Sequence, residues 1–258
     1  MQDIKLLHGD CLELMKDIPD KSIDMILCDL PYGTTKNRWD STLPFDKIWK
    51  QYTRIIKENG CIALFADGMF MADLMQSNKK LWRYNLVWDK ELISGFLNAN
   101  KMPLRVHEEI CIFYKKLPTY NPQFTVGQPL HGMGTKFSKT KNKNNNYGNF
   151  DSCNNPSSKR VGDTKKHPKS ILKFPRPASC VMFHSTEKPV KLLEWLVKTY
   201  TNESETVLDN CMGSGSTGVA CVNTNRKFIG IELDKNYCDI ANKRIEEAKT
   251  NASSFCLE

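Results

Sequence analysis

Val207-Leu208-Asp209-Asn210-Cys211-Met212-Gly213-Ser214-Gly215-Ser216-Thr217-Gly218, followed by Phe228-Ile229-Gly230-Ile231-Glu232, carries an apolar strand into a glycine turn, starts a helix, and ends a second strand in an acid. Glycines at 213 and 215 let the backbone approach a ligand, and an acid at the end of the next strand can accept both hydroxyls of a ribose. Taken alone, Gly213-x-Gly215-x-x-Gly218 with Glu232 nineteen residues after Gly213 fits any enzyme that holds an adenosyl group, nicotinamide and flavin enzymes included. A tight strand-to-helix turn without a ligand fits it too.

Outward from this stretch, apolar runs at Ile23–Cys28, Cys61–Phe65, Tyr84–Trp88 and Ile110–Tyr114 read as strands. Between them, Phe45, Ile48, Trp49, Tyr52, Ile55 and Ile56 recur at helical spacing over Phe45–Lys57. Downstream, Pro189–Tyr200 reads as a helix opened by proline, and Asn236–Ala248 as the last helix. Alternation of strands and helices predicts an α/β fold, a doubly wound and mostly parallel sheet covered on both faces. A chain of 258 residues can build this as one catalytic domain with a large insertion. The expected division is 1–118 and 181–258 for the two halves of that domain and 119–180 for the insertion.

The charge is uneven. Residues 119–180 hold eleven Lys and Arg against two acids, more than the whole net charge of +8, so the remainder is close to neutral. A basic segment on a neutral body argues for a polyanionic partner over a merely solvated surface. The ten cysteines are scattered from Cys11 to Cys256 without a Cys-x-x-Cys pair, so no metal is expected and the thiols read as free and mostly buried. No apolar run is long enough for a membrane span and Met1-Gln2-Asp3-Ile4-Lys5 does not open like a signal peptide, which predicts a cytoplasmic protein with no membrane partner.

The chemistry is read from Ile23-Asp24-Met25-Ile26-Leu27-Cys28-Asp29-Leu30-Pro31-Tyr32-Gly33. An apolar strand ends in Asp29, rigid backbone and an aromatic plane, at the carboxyl edge where open α/β sheets bind ligands. Here the chain resembles the amino-methyltransferases of DNA, whose signature is Asp/Asn/Ser-Pro-Pro-Tyr; Leu30 stands at the first proline position. The order of motifs, with the basic insert between them, resembles the circularly permuted β-class. The resemblance implies a Rossmann-like fold of the class I methyltransferase type, S-adenosyl-L-methionine as cofactor, double-stranded DNA as substrate, and an insert that reads the target sequence; it leaves a homodimer open.

The resemblance also implies roles. His8-Gly9-Asp10-Cys11 looks like the adenine pocket, with Asp10 taking the adenine amino group; Thr186 and Lys188 of His184-Ser185-Thr186-Glu187-Lys188-Pro189 would close over the methionine end. Asp209, Gly213, Gly215, Ser216 and Glu232 would cradle the adenosyl part, and Asp29 could touch the methionine amine. Cys211 stands where the family often has Phe, and Ser216 where it often has Thr. Catalysis would rest on Asp29, Leu30, Pro31 and Tyr32: the Asp29 carboxylate and the Leu30 carbonyl each accept one N–H of a base amino group, localising its lone pair for in-line attack on the sulfonium methyl. The base would be swung out of the duplex and stacked on Tyr32, with Lys36 and Arg38 of the following loop near the DNA and Trp39 reading rather as core packing. Asp at 29 leans toward N6 of adenine over N4 of cytosine. RNA methylation, a non-catalytic DNA-binding module and a nicotinamide oxidoreductase are the other readings; the last does not account for Asp29-Leu30-Pro31-Tyr32.

Overall fold

A computed structural model describes residues 3–33, 42–129, 162–176 and 187–255. The loop Thr34–Asp40 with Lys36, Arg38 and Trp39, the cations from Lys136 to Arg160, and the segment His184–Thr186 lie outside these residues.

In chain order the elements are β1 (Ile4–His8), α1 (Cys11–Leu14), β2 (Ile23–Cys28), α2 (Phe45–Ile55), β3 (Ile56–Ala66), α3 (Gly68–Ser77), β4 (Trp82–Ser94) and β5 (Arg105–Phe113). After two short strands, β6 (Thr125–Val126) and β7 (Lys165–Lys166), come β8 (Ile171–Lys173), α4 (Val190–Tyr200), β9 (Thr206–Asp209), α5 (Ser216–Asn223), β10 (Lys227–Glu232) and α6 (Lys235–Phe255). The main sheet has the order β1-β10-β9-β2-β3-β5-β4-β8. Its pairings are parallel except β3 with β5 and β4 with β5, so β5 alone runs against the rest.

Successive side chains of the central strands face opposite cores, with a period of two. Met25, Leu27, Cys61, Ala63, Phe65, Ile110 and Ile112 face a core shared with Leu192 and Leu196 of α4, Ala220 of α5 and Ala241 and Ile245 of α6. Ile26, Cys28, Ile62, Leu64, Cys111 and Phe113 face the opposite core, filled by Met15, by Ile48 and Tyr52 of α2 and by Phe70 and Leu74 of α3. Each face therefore has its own helical layer, which is what lets parallel strands be apolar on both sides. The described thiols are free, and all but Cys211 are buried.

The chain fans outward in both directions from β2 and β9. β2 leads through α2 to β3 on one side, β9 leads through α5 to β10 on the other, and α2 and α5 lie on opposite faces. This is the switch point at which the carboxyl ends of an open sheet leave a crevice. Asp24 pins the seam, accepting from the Thr206 backbone N–H at 3.0 Å and from Lys57 Nζ at 2.6 Å.

Two compact units are distinguished, one of Met1–Asn121 and Lys169–Glu258 and one of Pro122–Pro168. Within the smaller, β6 and β7 pair antiparallel and Phe124 meets the His167 ring edge-on at 4.9 Å. Within the larger, β8 extends the sheet beyond β4, and the Trp88 indole N–H donates to the Phe174 carbonyl at 2.8 Å just after it. The last helix outruns the Asn236–Ala248 predicted for it, because its final turns, Thr250 and Asn251 among them, offer no apolar period to read.

Candidate active site

A cavity of about 560 Å³ occupies the crevice at the switch point. Gly9, Asp10, Cys11, Asp29, Leu30, Pro31, Tyr32, Lys188, Asp209, Gly213, Ser216 and Glu232 all line it. Gly215 stands just behind this lining, against α6. Every sequence-predicted site residue that is described thus converges there, and Thr186 lies outside the described residues.

At one end, Asp10 caps α1, its carboxylate accepting from the Leu12 N–H at 2.7 Å. Opposite it, Glu232 at the end of β10 accepts from the backbone N–H groups of Gly213 and Asp234, each at 2.8 Å. A carboxylate has about four lone-pair sites, so Glu232 keeps acceptors for a ligand hydroxyl while holding the turn. The glycines do two different things. Gly213 is at φ +50° with nothing within 4 Å of the place a Cβ would take, so it leaves open space above the turn. Gly215, at φ +79°, packs on α6, where a Cβ would come within 2.7 Å of the Ala241 Cβ. One glycine leaves room at the cavity and the other serves helix packing.

Asp209 is 4% exposed and holds the turn from inside, accepting from Thr217 Oγ1 at 2.6 Å and the Cys211 N–H at 3.1 Å. Burial pushes its carboxyl up to about 6, although the Thr217 hydrogen bond works the other way. Next to it, Asn210 accepts from the Tyr52 hydroxyl at 2.5 Å, which locks α2 to the same turn. Cys28 also lies against this floor, and burial pushes its thiol up to about 12, so it serves as apolar lining rather than a nucleophile.

At the other end, Asp29 follows β2. Its Oδ1 accepts from the Tyr32 hydroxyl at 2.8 Å and its Oδ2 from Lys188 Nζ at 2.6 Å. The Tyr32 ring stacks on Phe70, with centroids 4.7 Å apart and planes at 26°. Burial and the neighbouring Asp29 carboxylate hold the Tyr32 phenol well above its ordinary value, so it stays a neutral donor. The Leu30 side chain is buried in the core, and Leu30 is among the residues that line the cavity.

Two groups at or beside the cavity, Glu108 and Arg244, are absent from the sequence reading. Lys188 also lies 3.4 Å from Glu108, which in turn accepts from Lys90 Nζ at 3.1 Å. Glu108 reaches the site because β5 runs antiparallel, so its beginning sits at the edge where the parallel strands end. Its only signal in the sequence is an acid just ahead of the apolar run at Ile110. Arg244 of α6 is the other missed group: it pairs with Glu187 at 2.5 Å and donates to the Ser214 carbonyl at 2.8 Å, tying the residue beside Lys188 to the glycine turn. A single Arg in a polar helix gives no sequence signal for this.

Strand order and crevice are those of the class I methyltransferases, in permuted order. The structure aligns with the crystal structure of the M1.HpyAVI–SAM complex at a TM-score of 0.63 and 24% identity, over 94% of this chain and 98% of that one. It aligns with the cytosine-N4-specific PvuII DNA methyltransferase at a TM-score of 0.65 and 16% identity, over 98% and 92%. At these identities the likeness shows the fold.

The chain belongs to the DNA methylase family of N6 and N4 methyltransferases, whose family model matches residues 23–243. Among curated relatives, DNA adenine methyltransferase YhdJ of Escherichia coli K12 is 26% identical, covering 94% of this chain and 83% of its own length. The type II methyltransferase M.HinfI of Haemophilus influenzae is 25% identical, covering 98% and 71%.

Proposed function

We propose that this DNA methylase transfers a methyl group from S-adenosylmethionine to N6 of adenine in duplex DNA, with the target base swung out of the stack. The observation that carries the reading is one continuous cavity with Asp10 and Glu232 at one end and Asp29, the Leu30 backbone and Tyr32 at the other. The E. coli relative, named a DNA adenine methyltransferase, and the Asp at 29 support adenine over cytosine.

The residues present suit the cofactor. Asp10 would take the adenine amino group, Glu232 the ribose hydroxyls, and the open space over Gly213 the body of the nucleoside. When bound, S-adenosylmethionine supplies an electrophilic methyl on a sulfonium. The protein's own task is to make an amide-like nitrogen nucleophilic. Asp29 and the Leu30 carbonyl would accept its N–H groups, so that the lone pair leaves conjugation with the ring and takes the methyl as its bond to sulfur breaks; Asp29 would stabilise the positive charge on the nitrogen until one N–H proton is lost to solvent. Holding both reactants in line supplies much of the remaining acceleration. The Tyr32 face that Phe70 does not cover offers the base a stacking surface.

Calorimetry with S-adenosylmethionine and with NADH, together with single-turnover assays on wild type and Asp29→Ala, tests this reading. We expect wild type to bind S-adenosylmethionine, and Asp29→Ala to stay folded with its single-turnover rate reduced by about 10²-fold or more. Binding of NADH alone, or more than about a tenth of the wild-type rate in Asp29→Ala, would overturn it.

A further inference from the structure

Four buried or half-buried charges form an alternating chain, Lys90, Glu108, Lys188 and Asp29. Lys90 and Lys188 are 4% and 8% exposed. Such a chain is costly to desolvate, and truncating one member strands the next as an uncompensated buried charge. Apolar residues would fill the same space at lower cost, so the arrangement calls for a reason beyond packing.

The contacts along the chain are unequal. Lys188 Nζ is 2.6 Å from Asp29 but 3.4 Å from Glu108 Oε2, and that Oε2 is the one buried side-chain oxygen or nitrogen among the described residues that makes no hydrogen bond. The other Glu108 oxygen is engaged by Lys90 at 3.1 Å. Lys188 therefore sits between a tight partner and an open one, its ammonium over the Phe65 ring at 5.1 Å. Both Asp29 oxygens already carry a donor, Tyr32 on one and Lys188 on the other.

We propose that Glu108 is a positioning residue for methyl transfer: it holds the Lys188 ammonium, and its open oxygen receives that ammonium when Asp29 turns to the amino group of the target base. The proposal rests on the methyltransferase reading above. Lys188 passes from one carboxylate to the other and keeps an anionic partner throughout, so its charge is never left bare in the protein. Lys90 fixes Glu108 from behind. Burial alone pulls the Lys188 ammonium down, but Asp29 and Glu108 outweigh it and keep it above its ordinary value, and the two lysines likewise hold Glu108 below its own against the opposite effect of burial. Lys188 and Glu108 therefore stay charged in the working range.

Glu108→Gln keeps the shape and removes the charge. Because it leaves Lys90 buried without a counter-charge, Lys90→Met with Glu108→Gln is made beside it, removing both charges together. Single-turnover methyl transfer, calorimetric affinity for S-adenosylmethionine, and the titration of the Lys188 ammonium followed by nitrogen-15 NMR in the cofactor-free protein are compared with wild type. We expect the rate to fall by about 30-fold or more in any folded variant, cofactor affinity to stay within about threefold, and Lys188 to lose its proton at least about one pH unit lower, since a nearby negative charge has gone. A folded variant within about threefold of the wild-type rate, or an unmoved Lys188 titration, would overturn the proposal. Failure of wild type itself to methylate DNA would instead remove the functional reading and leave the ammonium titration to report on the charge chain.

Discussion

Asp209 shows how one residue can line a cavity and shape it at the same time. The sequence marks it as part of a cradle for a ligand; in the fold its oxygens hold Thr217 and the Cys211 backbone, so it shapes the turn. Its carboxyl rises from 3.8 to about 6 on folding, with burial as the main cause. A raised carboxyl means the folded state binds the extra proton, so the contribution to stability is full below the unfolded value and is lost as pH rises through about 6. Relative to Asp209→Asn, wild type should lose up to about 3 kcal/mol of unfolding free energy between about pH 4 and about pH 6.5. Urea titrations of both proteins across that range check the sign; a difference independent of pH would remove the assigned cause. Gly215 makes a parallel case. Its glycine was legible, but its reason, a positive φ against Ala241 of α6, depends on a helix that packs from the far end of the chain.

Among the elements, the central strands were legible as continuous apolar runs, because a sheet buried on both faces writes itself so, although β3, β4 and β5 extend beyond the runs that mark them. β2 begins and ends at Ile23 and Cys28, where the run does. The direction of β5 was not legible, since apolar runs carry no polarity, and with the direction went Glu108. Contacts between elements distant in sequence were hidden for the same reason. Arg244 of α6 reaches Glu187 and Ser214, holding the approach to α4 against the glycine turn. Both members of the Arg244–Glu187 pair are largely buried, so Arg244→Met should cost about 3 kcal/mol by taking the paired cation away from a buried carboxylate. The same variant should loosen the turn and weaken S-adenosylmethionine binding by about tenfold. Thermal unfolding and calorimetry read the two effects; unchanged cofactor affinity with the stability loss would confine the clamp to a structural role.

For the whole molecule, the charge distribution is the feature that sequence conveys best, because it needs no contacts to be read. The excess at 119–180 includes Lys165 and Lys166, which form β7 of the smaller unit, and Lys169 and Lys173 in and before β8. Replacing Lys165, Lys166 and Lys169 with Gln should weaken binding to duplex DNA of any sequence while leaving cofactor affinity unchanged. Each phosphate that is no longer neutralised should lower the slope of log K against log salt by about 0.9. Filter binding across a salt series checks this, and an unaltered slope would mean that these cations are only solvated.

Methyl transfer to the exocyclic nitrogen of adenine held at Asp29 would leave its mark in the DNA itself. Incubating the protein with duplex DNA and isotopically labelled S-adenosylmethionine, then digesting the DNA and resolving its nucleosides by mass spectrometry, tests it most directly. Label is expected in N6-methyladenine, appearing about 10²-fold more slowly or slower still when Asp29→Ala replaces wild type. Label in N4-methylcytosine would contradict the choice of base, and an unlabelled digest from folded, cofactor-binding protein would contradict methyl transfer to DNA altogether.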